Sequence, residues 1–133
     1  MESRLKANIQ NLITKSDKKL KSAELLFANE LYDDAVSRGY YAMFLLAKAA
    51  LLLKGVEASR HSSVLSAFAE HCLKTKVFDK ELGKDLRSAL ESREIGDYEF
   101  SISITHQKAA DILAKARRFC QELKTHLEQN IRT

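Results

Sequence analysis

Proline is absent from this 133-residue chain, and glycine occurs only four times. With so few breakers, long helices are the first expectation. No run of 18 or more apolar residues occurs, so no membrane span is expected. The opening MESRLKANIQ is polar and carries no apolar signal core, which makes the cytoplasm the expected compartment. Cysteine is scarce: Cys72 and Cys120 stand alone, without CxxC spacing, and read as reduced core residues. GxxxxGK[ST], GxGxxG and GxSxG are all missing, as are zinc-ligand spacing and any Glu-x-x-His pair. These absences remove the common phosphate loops, dinucleotide folds, hydrolase elbows and di-iron bundles. No cofactor and no metal are expected.

What is present is 45% apolar and 30% charged, the balance of a globular chain. Its length suggests one domain over residues 1–133, large enough to fold without a disulfide or metal. The net charge of +4 permits an acidic or nucleic-acid partner without arguing for one. It is spread unevenly. Residues 79–100 carry seven acids against four bases, whereas residues 101–133 carry six bases against three acids. Those two segments could pair with each other or face different partners.

Apolar residues recur at helical spacing in five segments. The first covers about residues 3–29, with Leu5, Ile9, Leu12, Ile13, Leu20, Ala23, Leu26 and Phe27 as its stripe. The second, about 33–54, opens on Asp33 and Asp34 and stops at Gly55. It is apolar on most of its circumference and should be central. A short third helix would take Ser59 as N-cap and end near Leu73. The fourth should run from Asp79, its N-cap, to Ile95, with Gly96 as its stop. The fifth should run from about Thr105 to Gln129. Between the last two, Tyr98, Phe100, Ile102 and Ile104 alternate with polar residues, which predicts an extended loop with one apolar side. The fold class is all-α: an up-and-down four-helix bundle with a short additional helix.

Two features point to chemistry. Steps of four, three and four from Leu82 pass Leu86 and Ala89 and arrive at Arg93, so a guanidinium points where the leucines point. It cannot shed its proton and needs an anionic or carbonyl partner. Helix-end carbonyls and an internal acid would satisfy it, which is the routine outcome for one arginine. Beside a loop it could instead hold a phosphate or carboxylate as a fork. On the second helix Asp34, Arg38, Tyr41, Leu45 and Lys48 share a stripe. An Asp34–Arg38 pair explains half of that seam, while Lys48 sits among alanines and leucines and would have to snorkel past them. Gly39, inside this helix, costs roughly 1 kcal/mol relative to alanine and suggests close approach of a neighbour. His61 and His106 begin the third and fifth helices and could lean into a shared cavity, although a partly buried capping role is the commoner fate of each.

Taken together, AVSRGYYAMFLLAKAALLLKG, RHSSV and SREIGDYEF resemble the small stand-alone HEPN proteins of prokaryotes, in order and spacing, over about residues 15–125. The specific part is Ser37-Arg38-x-Tyr40-Tyr41-Ala42-Met43-Phe44, then His61-Ser62, then Arg93-x4-Tyr98. The resemblance implies an up-and-down bundle that often forms a homodimer and is commonly encoded beside, or fused to, a minimal nucleotidyltransferase. Many such pairs are toxin–antitoxin modules. It also implies, for many members, metal-independent RNase activity from an arginine followed four to six residues later by a histidine at a dimer cleft. This chain departs from that motif: none of its four histidines has that spacing, and the fifth position after Arg93 is Tyr98. Relatives often carry a histidine where this chain has Leu45.

The expectation that follows is a nucleotide- or RNA-phosphate-binding interaction module, partner of a nucleotidyltransferase. Arg93 and Tyr98 would line the site, Asp97 would orient a cation, and Arg38, Tyr41 and Lys48 would lie nearby. The alternatives are a metal-independent endoribonuclease toxin, with Arg93, Tyr98 and His106 as catalytic candidates, or a purely structural dimer. In the structural dimer Arg93 would be fully paired to an acid such as Asp34, with no accessible cavity.

Overall fold

The computed structural model describes residues 1–98, 100 and 102–132. Ile9, Ile13, Ser16 and Ala23 form the buried stripe of α1, Ser3–Ala28, with Leu5, Leu12 and Leu20 packed at its margin. The helix ends in a turn closed by two hydrogen bonds. Glu30 N–H donates to the Phe27 carbonyl (3.0 Å) and Leu31 N–H to the Leu26 carbonyl (2.9 Å). Glu30 supplies the left-handed residue that this turn requires, at φ 62°.

α2, Tyr32–Leu53, is the core of the molecule. Val36, Gly39, Tyr40, Met43, Leu46 and Ala47 are buried around its circumference, and it packs against α1, α4, α5 and the short α3. By length and apolarity it could cross a bilayer, but most of that apolar surface is enclosed by its neighbours. Gly55 ends it as expected, at φ 75°, with its N–H on the Leu52 carbonyl and that of Val56 on Leu51. Gly39 marks the close approach its position suggested. A Cβ there would stand 3.0 Å from Leu113 Cδ2 and 3.7 Å from Ala116 Cβ.

α3, His61–Phe68, continues as one π-helical turn, Ala69–Leu73, in which Lys74 N–H reaches back five residues to the Ala69 carbonyl (2.9 Å). Its N-cap is Arg60, not Ser59; no side chain caps it, and Ser63 Oγ donates to the Arg60 carbonyl. α4 is Lys80–Tyr98, and Asp79 does cap it, accepting from Glu81 N–H at 2.8 Å. α5 is His106–Ile131, capped by Thr105 accepting from Lys108 N–H at 3.1 Å.

Gly96 does not stop α4, which runs on to Tyr98. The glycine is there for space: a Cβ would stand 2.9 Å from Ile104 Cδ1 and 3.4 Å from Asp33 Cγ. Asp33 Oδ1 accepts from Ile104 N–H at 2.8 Å, which draws the connection after α4 tightly against the start of α2. The expected apolar side of that connection is not buried. Ile104 is enclosed, but Tyr98, Phe100 and Ile102 are 71%, 103% and 52% exposed. Glu99 and Ser101, the polar residues between them, lie outside the described residues.

Cross-links fix the up-and-down order. Asp17–Lys124 and Glu24–Arg117 run α1 antiparallel to α5, while Asp85–Arg118 ties α4 to α5. Asp33 at the start of α2 meets Gly96 near the end of α4. α2 and α5 lie on the diagonal of the bundle, each touching α1 and α4. Ser16, buried at their junction, donates to the Ala42 carbonyl at 2.8 Å. Phe68 carries the core toward α3, 5.7 Å from the Phe119 ring and 5.9 Å from that of Phe78.

Candidate functional site

Two α2 residues one turn apart, Tyr40 and Phe44, project toward the first residue of α3. The His61 ring stacks on Phe44 at 4.4 Å between centroids, and its Nδ1 lies 2.8 Å from the Tyr40 hydroxyl. Tyr41 meets the same histidine edge-on at 6.1 Å. With Nδ1 engaged, Nε2 is the nitrogen left for a ligand. It accepts when Nδ1 carries the proton and donates when the Tyr40 O–H does the donating. Burial, and then the nearby Arg93 charge, push the His61 pKa below its ordinary value against the opposing pull of Glu94. Burial raises that of Tyr40, which therefore stays a neutral phenol.

Arg93 arrives from α4. Its guanidinium carbon sits 5.7 Å from the Tyr40 ring centroid, close enough for cation–π attraction. The side chain is 20% exposed. Its Nε lies 3.2 Å from Asp97 Oδ2, one turn on, so the carboxylate offsets part of the charge. The N–H is not aimed at that oxygen, however. Among the described residues Arg93 Nε is the one buried side-chain polar atom without a hydrogen bond, an arrangement that ordinarily has an explanation in function or a missing partner. Asp34, the internal acid a structural role would have used, is not its partner.

His61, Ser62, Leu65, Arg87, Arg93, Glu94 and Tyr98 line one open cleft of about 540 Å³ between α3 and α4. It offers a fork donor, an imidazole, two hydroxyls from Ser62 and Ser66, and an exposed phenol over an apolar floor of Leu65 and Leu90. Such a set suits an anionic oxygen group carried on a larger, partly apolar ligand.

The structure brings together Arg93, Asp97 and Tyr98, with Tyr41 at the edge. The other expected neighbours are elsewhere. Arg38 reaches toward α1, where its Nη1 lies 3.4 Å from Ser22 Oγ. Lys48 lines a separate groove with Leu52 and Val56, two helical turns or about 10 Å along α2 from Tyr41. His106 packs between Phe27 (5.0 Å) and Tyr32 (5.4 Å), so it shares no cavity with His61. Spacing along α2 put these residues on one stripe, but a stripe 20 Å long passes more than one neighbour. His61 and Tyr40 were missed as members of the site. The signal was the adjacent Tyr40 and Tyr41 with Phe44 one turn on, followed by a histidine that opens the next helix.

A larger depression, about 690 Å³ along Phe78, Arg118 and His126, commits its arginine to the buried Asp85. Among the described residues no three His, Cys, Asp or Glu side chains converge as metal ligands. Burial raises the two thiols, to about 11 for Cys72 and about 12 for Cys120, so neither offers a thiolate near neutral pH.

A family model described as "HEPN domain" matches residues 9–126. Three curated proteins show comparable likeness. "Putative toxin MJ0142" of Methanocaldococcus jannaschii is 39% identical over 127 residues, 96% of this chain and 86% of that protein. A "UPF0332 protein" of Thermotoga maritima is 38% identical over 109 residues, 82% and 83% of the two chains. "Putative toxin MJ0605" of Methanocaldococcus jannaschii is 31% identical over 125 residues, 94% and 92% of the two.

Proposed function

The chain belongs to the HEPN family, and on that premise we propose that it is the RNA-phosphate-binding member of a toxin–antitoxin pair. In this reading it acts in the cytoplasm as a homodimer and engages a small nucleotidyltransferase as its partner. Relatives named as toxins support the system. One observation carries the binding site: the largely buried Arg93 side chain, paired only with Asp97, lines an open cleft of about 540 Å³. A phosphate oxygen in the cleft would accept from the guanidinium, and Ser62 would add a neutral donor. Charge-assisted hydrogen bonds contribute roughly 1.5–3 kcal/mol. Arg93→Ala should therefore weaken binding of a fluorescent single-stranded RNA roughly tenfold to a hundredfold in anisotropy titrations at fixed salt. Arg93→Lys, which keeps the charge but not the fork, should rescue only part. Equal affinity for the wild type and Arg93→Ala would refute the reading. Co-expression with the candidate nucleotidyltransferase and co-purification test the partnership separately.

A second reading is metal-independent RNA cleavage, favoured by the position of His61 beside Arg93. In that reaction the imidazole takes the proton of a ribose 2′-hydroxyl as its oxygen bonds to the adjacent phosphorus. The 5′-oxygen then leaves and takes up the proton that the imidazolium returns to it directly or through water, giving a 2′,3′-cyclic phosphate and a 5′-hydroxyl, while Arg93 stabilises the charge on the phosphoryl oxygens. The histidine missing from the linear motif would thus come from a different helix. RNA cleavage in the presence of chelator, lost in both His61→Ala and Arg93→Ala, is the expected result. Cleavage that survives His61→Ala would remove this reading and leave the binding reading intact.

A further inference from the structure

Leu65 and Phe68 of α3, with Leu73 of the π-helical turn, wall an apolar pocket of about 250 Å³ against α4. Leu73 leans on α4 where Gly83 leaves room for it. A Cβ at Gly83 would run into the Leu73 side chain, which accounts for a glycine inside a helix that would otherwise disfavour it. Every charged residue of the pocket's lining is basic. Lys80, Lys84 and Arg87 stand exposed on one stripe of α4, at steps of four and three. Over those seven residues they form a row about 10 Å long. Lys84 touches only the exposed Glu81, at 3.2 Å, and among the described residues Lys80 and Arg87 form no ion pair.

We infer that this pocket docks an acidic segment of a partner protein, one that carries a large apolar side chain between carboxylates. An apolar seat with a basic rim is complementary to that pattern: the anchor is buried and the charges meet at the edge. A nucleobase fits it poorly. Single-stranded RNA is held by bases stacked on exposed rings, and here the one ring, that of Phe68, is 1% exposed. Apart from the three cations no lining residue has a polar side chain. The polar edge of a base would therefore give up its hydrogen bonds to water without replacement. An apolar side chain has no such groups to satisfy. An extended segment advances about 3.3 Å per residue, so the basic row spans about three residues, and carboxylates flanking the anchor reach it.

Fluorescence anisotropy on the full chain tests this with two labelled peptides, each with three glutamates on either side of a central residue, phenylalanine in one and alanine in the other. The phenylalanine peptide should bind the wild type at least ~10-fold more tightly than the alanine peptide. Ala69 is half-buried in the lining, so Ala69→Leu fills the pocket without changing its charge and should remove that preference. Lys80→Gln with Lys84→Gln should weaken the phenylalanine peptide at least ~5-fold and flatten its salt dependence. Arg87 is left in place because it also borders the Arg93 cleft. An unchanged thermal midpoint shows that each variant is folded, and the comparison of the two peptides on the wild type needs no variant. Absent or equal binding of the two peptides, or binding that neither variant alters, would overturn the site. So would a single-stranded RNA that loses affinity in Ala69→Leu, which would put a base in the pocket. A change of sedimenting mass in that variant would put a second copy of the chain there and overturn it equally.

Discussion

Glu30 holds a backbone conformation that side chains with a Cβ avoid, at φ 62°, while Gly55 holds the equivalent place after α2 at no such cost. The two positions make opposite predictions. Glu30→Gly should raise stability by about 0.5–1 kcal/mol, the relief of strain less the added freedom of the unfolded chain, and Gly55→Ala should lower it by about 1 kcal/mol. Denaturant midpoints at constant m-value measure both. Gly55 could be read from sequence because glycine announces a left-handed turn; Glu30 could not, since glutamate announces nothing of the kind. His61 gives a prediction in pH. Burial and Arg93 lower its folded pKa, so as pH drops through about 6.5 the unfolded chain takes up the proton first. The stability fully present above that pH is then lost until the folded-state pKa is passed. His126, also lowered by burial, acts in the same direction. The urea midpoint should be lower at pH 5.5 than at pH 7.5, with a smaller difference in His61→Gln. An equal difference in that variant would show that the His61 pKa is not the source.

Helix–helix contact decides the next scale. Gly39 lets α2 approach α5 so closely that a Cβ would meet the Leu113 side chain at 3.0 Å. Gly39→Val should therefore cost about 1–3 kcal/mol by overpacking, measured as a drop in thermal midpoint. The gain in helix propensity from removing a glycine, under about 1 kcal/mol, is too small to offset this. Most helix spans were legible because period and caps agreed: Asp79 and Thr105 cap α4 and α5 as their sequence positions suggest. The end of α4 was not, because Gly96 serves close packing against Ile104 and Asp33 rather than a turn. The π-helical turn at Ala69–Leu73 has no residue signature and was equally hidden. In the site, Arg93 could be placed from α4 alone, as it continues the leucine stripe. Its neighbour His61 could not, since that juxtaposition depends on how α3 crosses α2 and α4.

For the molecule as a whole, the charge asymmetry between residues 79–100 and 101–133 was visible in the sequence, but its destination was not. Among the described residues, Lys124 pairs with Asp17 and Arg117 with Glu24 on α1, Arg118 crosses to α4, and Lys115 pairs with Asp111 on α5 itself. Exposed pairs like the first two contribute at most ~1 kcal/mol each. The acids left over on α4 are therefore surface features, not bundle fasteners. Cohesion comes instead from α2, which every other helix covers. Its enclosure has a consequence in time: an amide of α2 can meet solvent only when its neighbours have left it. Deuterium exchange should be slowest at residues 40–50, with protection equal to the global unfolding free energy, whereas α3 should exchange through local openings well before that limit. The innermost helix would then be the last to lose its protons, and the helix bearing His61 among the first.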